Sequence, residues 1–130
     1  MNFQYKDHIL YLLEKYQTLV IQGETGCGKS TQIPQYLVDA RWTSGQDKTF
    51  MIGITQPRRI AATSLACRVA EERECKLGTE VGYNIRFDEC FQAGVTRIKY
   101  LTEGILVREM MSDPLLKNYS VVMVLSLIHI

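Results

Sequence analysis

Residues Gly23, Glu24, Thr25, Gly26, Cys27, Gly28, Lys29 and Ser30 satisfy the pattern G-x-x-x-x-G-K-[ST] and carry the clearest chemistry in the chain. Glycines let such a loop close tightly around phosphate with its amides pointing inward, and a helix starting behind it adds partial positive charge. In that arrangement Lys29 reaches the β- and γ-phosphates, the Ser30 hydroxyl ligates Mg²⁺, and Thr31 is the last member of the nucleotide-contacting set. Ordinary residue frequencies would produce the pattern in roughly 0.5% of chains of this length, so an incidental glycine turn is the weaker explanation. Cys27 could be a reactive thiol beside a helix N-terminus, but a variable loop position accounts for it more simply. The loop names a ligand class and not a reaction, since kinases, transporters, GTPases and helicases all use one.

Chemistry of this kind needs a strand before the loop and a helix after it. Residues 18–22 are a brief β-prone run that stops at Gly23, and Ile33, Leu37 and Ala40 follow at helical spacing. Pro34 lies inside the first two turns of that helix, where it has no N–H to give the Ser30 carbonyl and should distort the backbone. Upstream, His8, Ile9, Leu12, Leu13 and Tyr16 predict a short amphipathic helix over residues 8–16. Downstream the alternation continues with a buried strand over 50–54 and an Ala-rich helix over 60–72 whose Ala61, Leu65 and Val69 share a face. Leu77 and Gly78 are a plausible stop for that helix, and residues 80–86 and 97–101 are strand candidates. Thr102 can cap a helix through Met111 that Pro114 closes, and residues 121–125 form a last apolar strand. Strands alternating with helices imply an α/β fold with a mostly parallel sheet covered on both faces.

The chain has 130 residues, enough for one core and not for two. With 46% hydrophobic and 22% charged residues it has the composition of a folded protein rather than a disordered one. A net charge of +1 excludes a whole-chain electrostatic argument for nucleic acid. The local case rests on Arg58, Arg59 and Arg68, which lie in an acid-free stretch from residue 55 to 70. Cys27, Cys67, Cys75 and Cys90 form no C-x-x-C pair and have no histidine at ligand spacing, so neither a zinc site nor a disulfide framework is expected. Lys6, Asp7, Glu14 and Lys15 interrupt any signal-peptide core, and the uncharged apolar stretch 121–130 is about half the length of a bilayer span. An intracellular chain with no membrane partner is the expectation.

The helix after the loop continues with Thr31, Gln32, Ile33, Pro34, Gln35, Tyr36 and Leu37, and at this point the chain resembles the DEAH-box RNA helicases, whose first motif runs GETGCGKST and proceeds to QIPQYL. Three further stations follow in the family's order. Thr55, Gln56, Pro57, Arg58 and Arg59 are similar to its second motif. Val81, Gly82, Tyr83, Asn84, Ile85, Arg86 and Phe87 resemble its GY-x-IRF segment. Thr102, Glu103 and Gly104 resemble its T-[DE]-G motif. The likeness covers roughly residues 5–123 and looks most like the spliceosome-associated branch. It implies a P-loop NTPase of RecA-like fold, ATP and Mg²⁺ as cofactors, RNA and spliceosomal or other ribonucleoprotein partners, a nuclear setting, and a parent enzyme that is not an oligomer. It also implies that Arg58, Arg59 and Thr102 face the nucleic-acid backbone, where guanidinium forks and a hydroxyl suit phosphate oxygens without reading bases. The plainer readings are a solvated arginine pair opening a helix and a simple N-cap. Arg86 and Phe87 read as a strand-end arginine beside a buried aromatic, with no site assigned, and residues 71–74 as the exposed end of a helix.

The likeness stops abruptly near Met123. In direct register the four family positions D-E-A-H fall on Leu125, Ser126, Leu127 and Ile128, and no Asp or Glu occurs after Asp113. Those acids organise magnesium and the attacking water, tasks that apolar side chains cannot perform. The expectation is therefore a partial helicase ATP-binding domain over residues 1–123 and a non-family tail over 124–130, produced by a splice, frameshift or sequence-assembly join. No catalytic residue is assigned, and little or no ATPase activity is expected in the absence of these acids and of a second RecA-like domain. Two alternatives remain: a truncated isoform that binds nucleotide or partners without catalysis, and a small P-loop kinase, which would need an acceptor pocket. The apolar residues 121–130 should leave an exposed edge prone to self-association.

Overall fold

The computed structural model describes residues 6–19, 28–45 and 48–124. Among them the order is α1 (Lys6–Lys15), α2 (Lys29–Asp39), β1 (Met51–Gln56), α3 (Arg59–Glu72), β2 (Val81–Ile85), β3 (Asp88–Cys90), β4 (Ile98–Thr102), α4 (Glu103–Ser112) and β5 (Tyr119–Met123). Only Thr18 and Leu19 of the strand expected over 18–22 are described, and neither is in regular structure. The remainder of that strand and residues 23–27 of the loop lie outside the described residues.

The five strands form one sheet in the order β3-β2-β4-β1-β5. All pairings are parallel except β2 with β3, a hairpin turned by Arg86 and Phe87. The mostly parallel α/β sheet expected from the strand and helix alternation is therefore present. The β1 run of Met51 to Gln56 is buried throughout, as a strand enclosed on both faces must be.

One face carries the larger core. Ile33, Leu37 and Val38 of α2, Ile9 of α1, and Ala62, Ala66, Val69 and Ala70 of α3 close over Ile52, Ile54, Val81, Ile85, Ile98 and Tyr100. The buried stripe of α3 thus runs through Ala62 and Ala66 rather than Ala61 and Leu65, because methyl-sized side chains let the helix axis sit close to the sheet while Leu65 packs at the rim. The opposite face carries a small cluster of Leu101, Ile105 and Leu106 beneath α4. There the Tyr119 ring covers Gly53 so closely that a Cβ at residue 53 would sit 2.7 Å from it.

The helix expected over 60–72 ends where expected, but Leu77 and Gly78 are not its stop. α3 ends at Glu72, with Arg73 as C-cap and Glu74 in the left-handed region at φ 54°; Gly78, at φ 95°, instead shapes the turn into β2 by giving its N–H to the Val81 carbonyl. Residues 71–74 are also not merely an exposed helix end. The mostly buried Arg73 guanidinium pairs with Asp39 at 3.1 Å and with Glu80, and Glu72 accepts a hydrogen bond from Gln32 at 2.9 Å. This ties the ends of α2 and α3 to the start of β2.

Candidate functional site

The N-terminus of α2 is the described part of the expected phosphate loop. Gly28 holds the N-cap at φ 83°, ψ 15°, a left-handed conformation that costs glycine little and other residues more. Its carbonyl accepts the Gln32 amide at 2.8 Å, the Thr31 amide at 3.2 Å and the Thr31 hydroxyl at 3.1 Å, which makes Thr31 a buried brace of the turn. Among the described residues no side-chain hydrogen bond caps the helix, and no acid lies in its first turn to offset its positive end. That arrangement fits an anion. Among the described residues there is no group of three His, Cys, Asp or Glu able to hold a metal, so a magnesium ion here would draw on the Ser30 hydroxyl and on phosphate oxygens, a donor set that Mg²⁺ accepts. Lys29 and Ser30 open the helix, half-buried, while Gly23, Glu24, Thr25, Gly26 and Cys27 lie outside the described residues.

Pro34 lies inside α2 without ending it. In an unbroken helix the Ser30 carbonyl would accept from residue 34, and proline has no proton to give. Instead the Tyr100 hydroxyl, reaching up from β4, donates to the Ser30 carbonyl at 2.6 Å. Burial, with the charge of Glu72, pushes the Tyr100 phenol well above its ordinary pKa and keeps it a donor. The strand pattern over 97–101 gave no sign of this bond. The signal that could have found it was Pro34 itself, four residues after Ser30.

Arg58 and Arg59 stand where β1 turns into α3, both exposed and neither in an ion pair among the described residues. Arg58 is extended, at φ −123° and ψ 141°, and its side chain makes no cap hydrogen bond. Thr102 occupies the N-cap position of α4, but its side chain also makes no cap hydrogen bond, so the simple capping role expected for it is not realised. Gln56 and Thr102 are register partners at the ends of β1 and β4, which places Arg58 and Thr102 on the order of 10 Å apart. Because Tyr100 anchors α2 near the same end of β4, the structure gathers Lys29, Ser30, Arg58, Arg59 and Thr102 toward the carboxyl edge of the parallel strands. Ligands bind at that edge in open α/β sheets. Gln56, a member of the second motif with no role expected for it, joins them: it is 3% exposed, and its Nε2 is buried with no hydrogen-bond partner among the described residues.

Arg86 and Phe87 differ from expectation. Phe87 is 87% exposed at φ 69°, with the Arg86 guanidinium 4.8 Å from its ring centre, because it forms the hairpin turn instead of continuing β2 into the core. Beside it, Asn84, Asp88, Arg108 and Glu109 help line an open cavity of about 460 Å³. In the hairpin the Tyr83 hydroxyl donates to Asp88 at 2.8 Å, and this bond to a carboxylate pushes the phenol up to about 12.

No protein-family model matches the chain. Among curated proteins it is 64% identical over 121 residues, 93% of its length, to the "Probable ATP-dependent RNA helicase DHX35" of Homo sapiens, and equally to that of Pongo abelii. It is 51% identical over 122 residues to the "Probable ATP-dependent RNA helicase DHX35 homolog" of Caenorhabditis elegans. The chain spans 17% of the length of the human relative and 16% of the other two.

Proposed function

We propose that this chain belongs to the DEAH-box ATP-dependent RNA helicases and forms part of their RecA-like ATP-binding domain. The observation that carries the reading is the convergence at one sheet edge of a helix N-terminus, an arginine couple and an N-cap threonine, with no side-chain cap, first-turn acid or arginine ion pair among the described residues. The 64% identity to proteins named as RNA helicases supports it. In this reading residues Gly23 to Thr31 hold ATP, with Ser30 on Mg²⁺ and Lys29 on the terminal phosphates. Bound ATP supplies a hydrolysable phosphoanhydride, and the chain's residues bind and orient it. Arg58, Arg59 and Thr102 grip the RNA backbone without reading sequence. A nuclear role in splicing ribonucleoproteins belongs to the same proposal.

Residues 1–123 carry this function, and 124–130 depart from the family pattern. With Leu125 and Ser126 at the register positions of the family's two acids, which organise the attacking water, this chain binds nucleotide and turns it over slowly or not at all. Robust hydrolysis abolished by Lys29→Ala would contradict that. The RNA half of the reading is tested by titrating single-stranded RNA at two salt concentrations. Affinity should fall with salt, and Arg58→Ala with Arg59→Ala should weaken binding and reduce the log–log salt slope by about 1.4, two phosphate contacts' worth for a single strand. RNA binding indifferent to both arginines would remove this surface from the proposal. A small kinase would bind nucleotide with no RNA affinity at all.

A further inference from the structure

We infer that Tyr100 is a positioning residue for the nucleotide turn: its hydroxyl replaces the backbone hydrogen bond that Pro34 removes and thereby sets the placement of Ser30. This inference rests on the nucleotide reading above and adds to it a residue outside the phosphate loop. A carbonyl in the first turn of an α-helix normally accepts from the amide four residues on, and for Ser30 that residue is Pro34. The vacancy is filled from 70 positions away in sequence by the Tyr100 hydroxyl at 2.6 Å.

The anchor is a rigid one. Tyr100 is 0% exposed, and β4 lies between β2 and β1 with parallel pairing on both sides, so its ring has little freedom to follow a shifting helix. The Ser30 main chain is therefore registered against the centre of the sheet and not only against its own helix. A hydroxyl that ligates a metal must be held to a fraction of an ångström, and its direction follows from the backbone beneath it. The same strand ends two residues later at Thr102, so the strand that places Ser30 also carries a proposed RNA contact.

The test uses the full 130-residue chain as wild type, Tyr100→Phe, Pro34→Ala and the double variant, with Lys29→Ala as the nucleotide control. ADP is titrated in magnesium and again in EDTA. Tyr100→Phe should weaken binding in magnesium by about 3- to 10-fold, the worth of one hydrogen bond, and change it little in EDTA. Adding Pro34→Ala should restore binding to within about twofold, because residue 34 again has an N–H for the Ser30 carbonyl. In ligand-free melting, Tyr100→Phe should lower Tm when residue 34 is proline and lower it less when residue 34 is alanine. Undiminished binding by Tyr100→Phe in a chain whose wild type binds overturns the inference. So does an equal loss with and without magnesium that Pro34→Ala fails to rescue, since that pattern belongs to a core residue only. If wild type binds no ADP, or binds as Lys29→Ala does, the nucleotide reading itself is wrong and the positioning role falls with it.

Discussion

The two faces of the sheet are built by different physics. On the face under α1, α2 and α3, aliphatic and alanine side chains fill the space, and polar links such as Gln32 to Glu72 and Arg73 to Asp39 run along the rim. On the face under α4, the apolar cluster is small and a charge is buried: the Lys99 side chain is 1% exposed, pairs with Glu109 at 2.9 Å, and lies 4.3 Å from the Phe91 ring centre and 5.1 Å from that of Tyr119. The Tyr119 hydroxyl donates to the same Glu109 carboxylate at 2.8 Å. Apolar packing of the first kind places α2, and with it the turn at Gly28, by volume. Directional bonding of the second kind places α4, and with it Thr102, by satisfying one charge. A packed face degrades gradually as atoms are removed. A charge network fails when a single member is lost.

That contrast orders the expected effects. The largest is Glu109→Ala, which strands the Lys99 ammonium in a closed site and should cost about 3–5 kcal/mol in urea denaturation, whereas Lys99→Met should cost far less because it removes the buried charge itself. Equal losses from the two would erase the distinction between the faces. On the apolar face, Leu37→Ala should cost about 2–5 kcal/mol through the cavity it leaves, since Leu37 is fully buried. Gly53→Ala should cost about 1–3 kcal/mol because the added methyl meets the Tyr119 ring, and Tyr119→Leu should relieve the clash.

Alkaline pH sharpens the same comparison. Burial, reinforced by Glu109, holds the Tyr119 phenol far above its ordinary range. A group whose folded pKa is raised contributes stability that is fully present below its unfolded pKa and lost as pH rises through the folded one. Stability should therefore hold to about pH 10 and fall above it, and Tyr119→Phe should flatten the decline in a denaturation series across that range. The smallest effect belongs to the hairpin. Phe87→Gly should change stability by about 1 kcal/mol or less, toward greater stability, because the exposed ring sits on a left-handed backbone that glycine tolerates. A clear loss of stability would mean that the ring's contact with the Arg86 guanidinium outweighs the backbone strain.

Much of this was legible in the residues because it depended on local pattern. The helical spacing of Ile33 and Leu37, the alternation of strands with helices, and the position of Thr102 at the start of α4 are short-range facts, and the corresponding elements stand where expected. What escaped depends on distant partners. Ala61 and Ala62 are indistinguishable by composition, and only the distance between α3 and the sheet selects Ala62. The hairpin that exposes Phe87 needed β3, a three-residue strand too short to leave a periodic signal. Arg73 reads as one charge in a charged run until Asp39 and Glu80 converge on it. The site divides the same way. The motif is the basis for the chemistry proposed for Lys29 and Ser30, while the anchoring of Ser30 by Tyr100 and the burial of Gln56 became visible only once β1 and β4 lay side by side.

The central claim, that the turn entering α2 binds a nucleotide's phosphates, is met most directly by calorimetric titration of the purified chain with ADP in the presence of magnesium. The account predicts saturable one-to-one binding that Lys29→Ala weakens by at least about tenfold, the effect of losing a charged phosphate contact. Heat indistinguishable from dilution in a chain that still melts cooperatively, or binding that Lys29→Ala leaves intact, would contradict it.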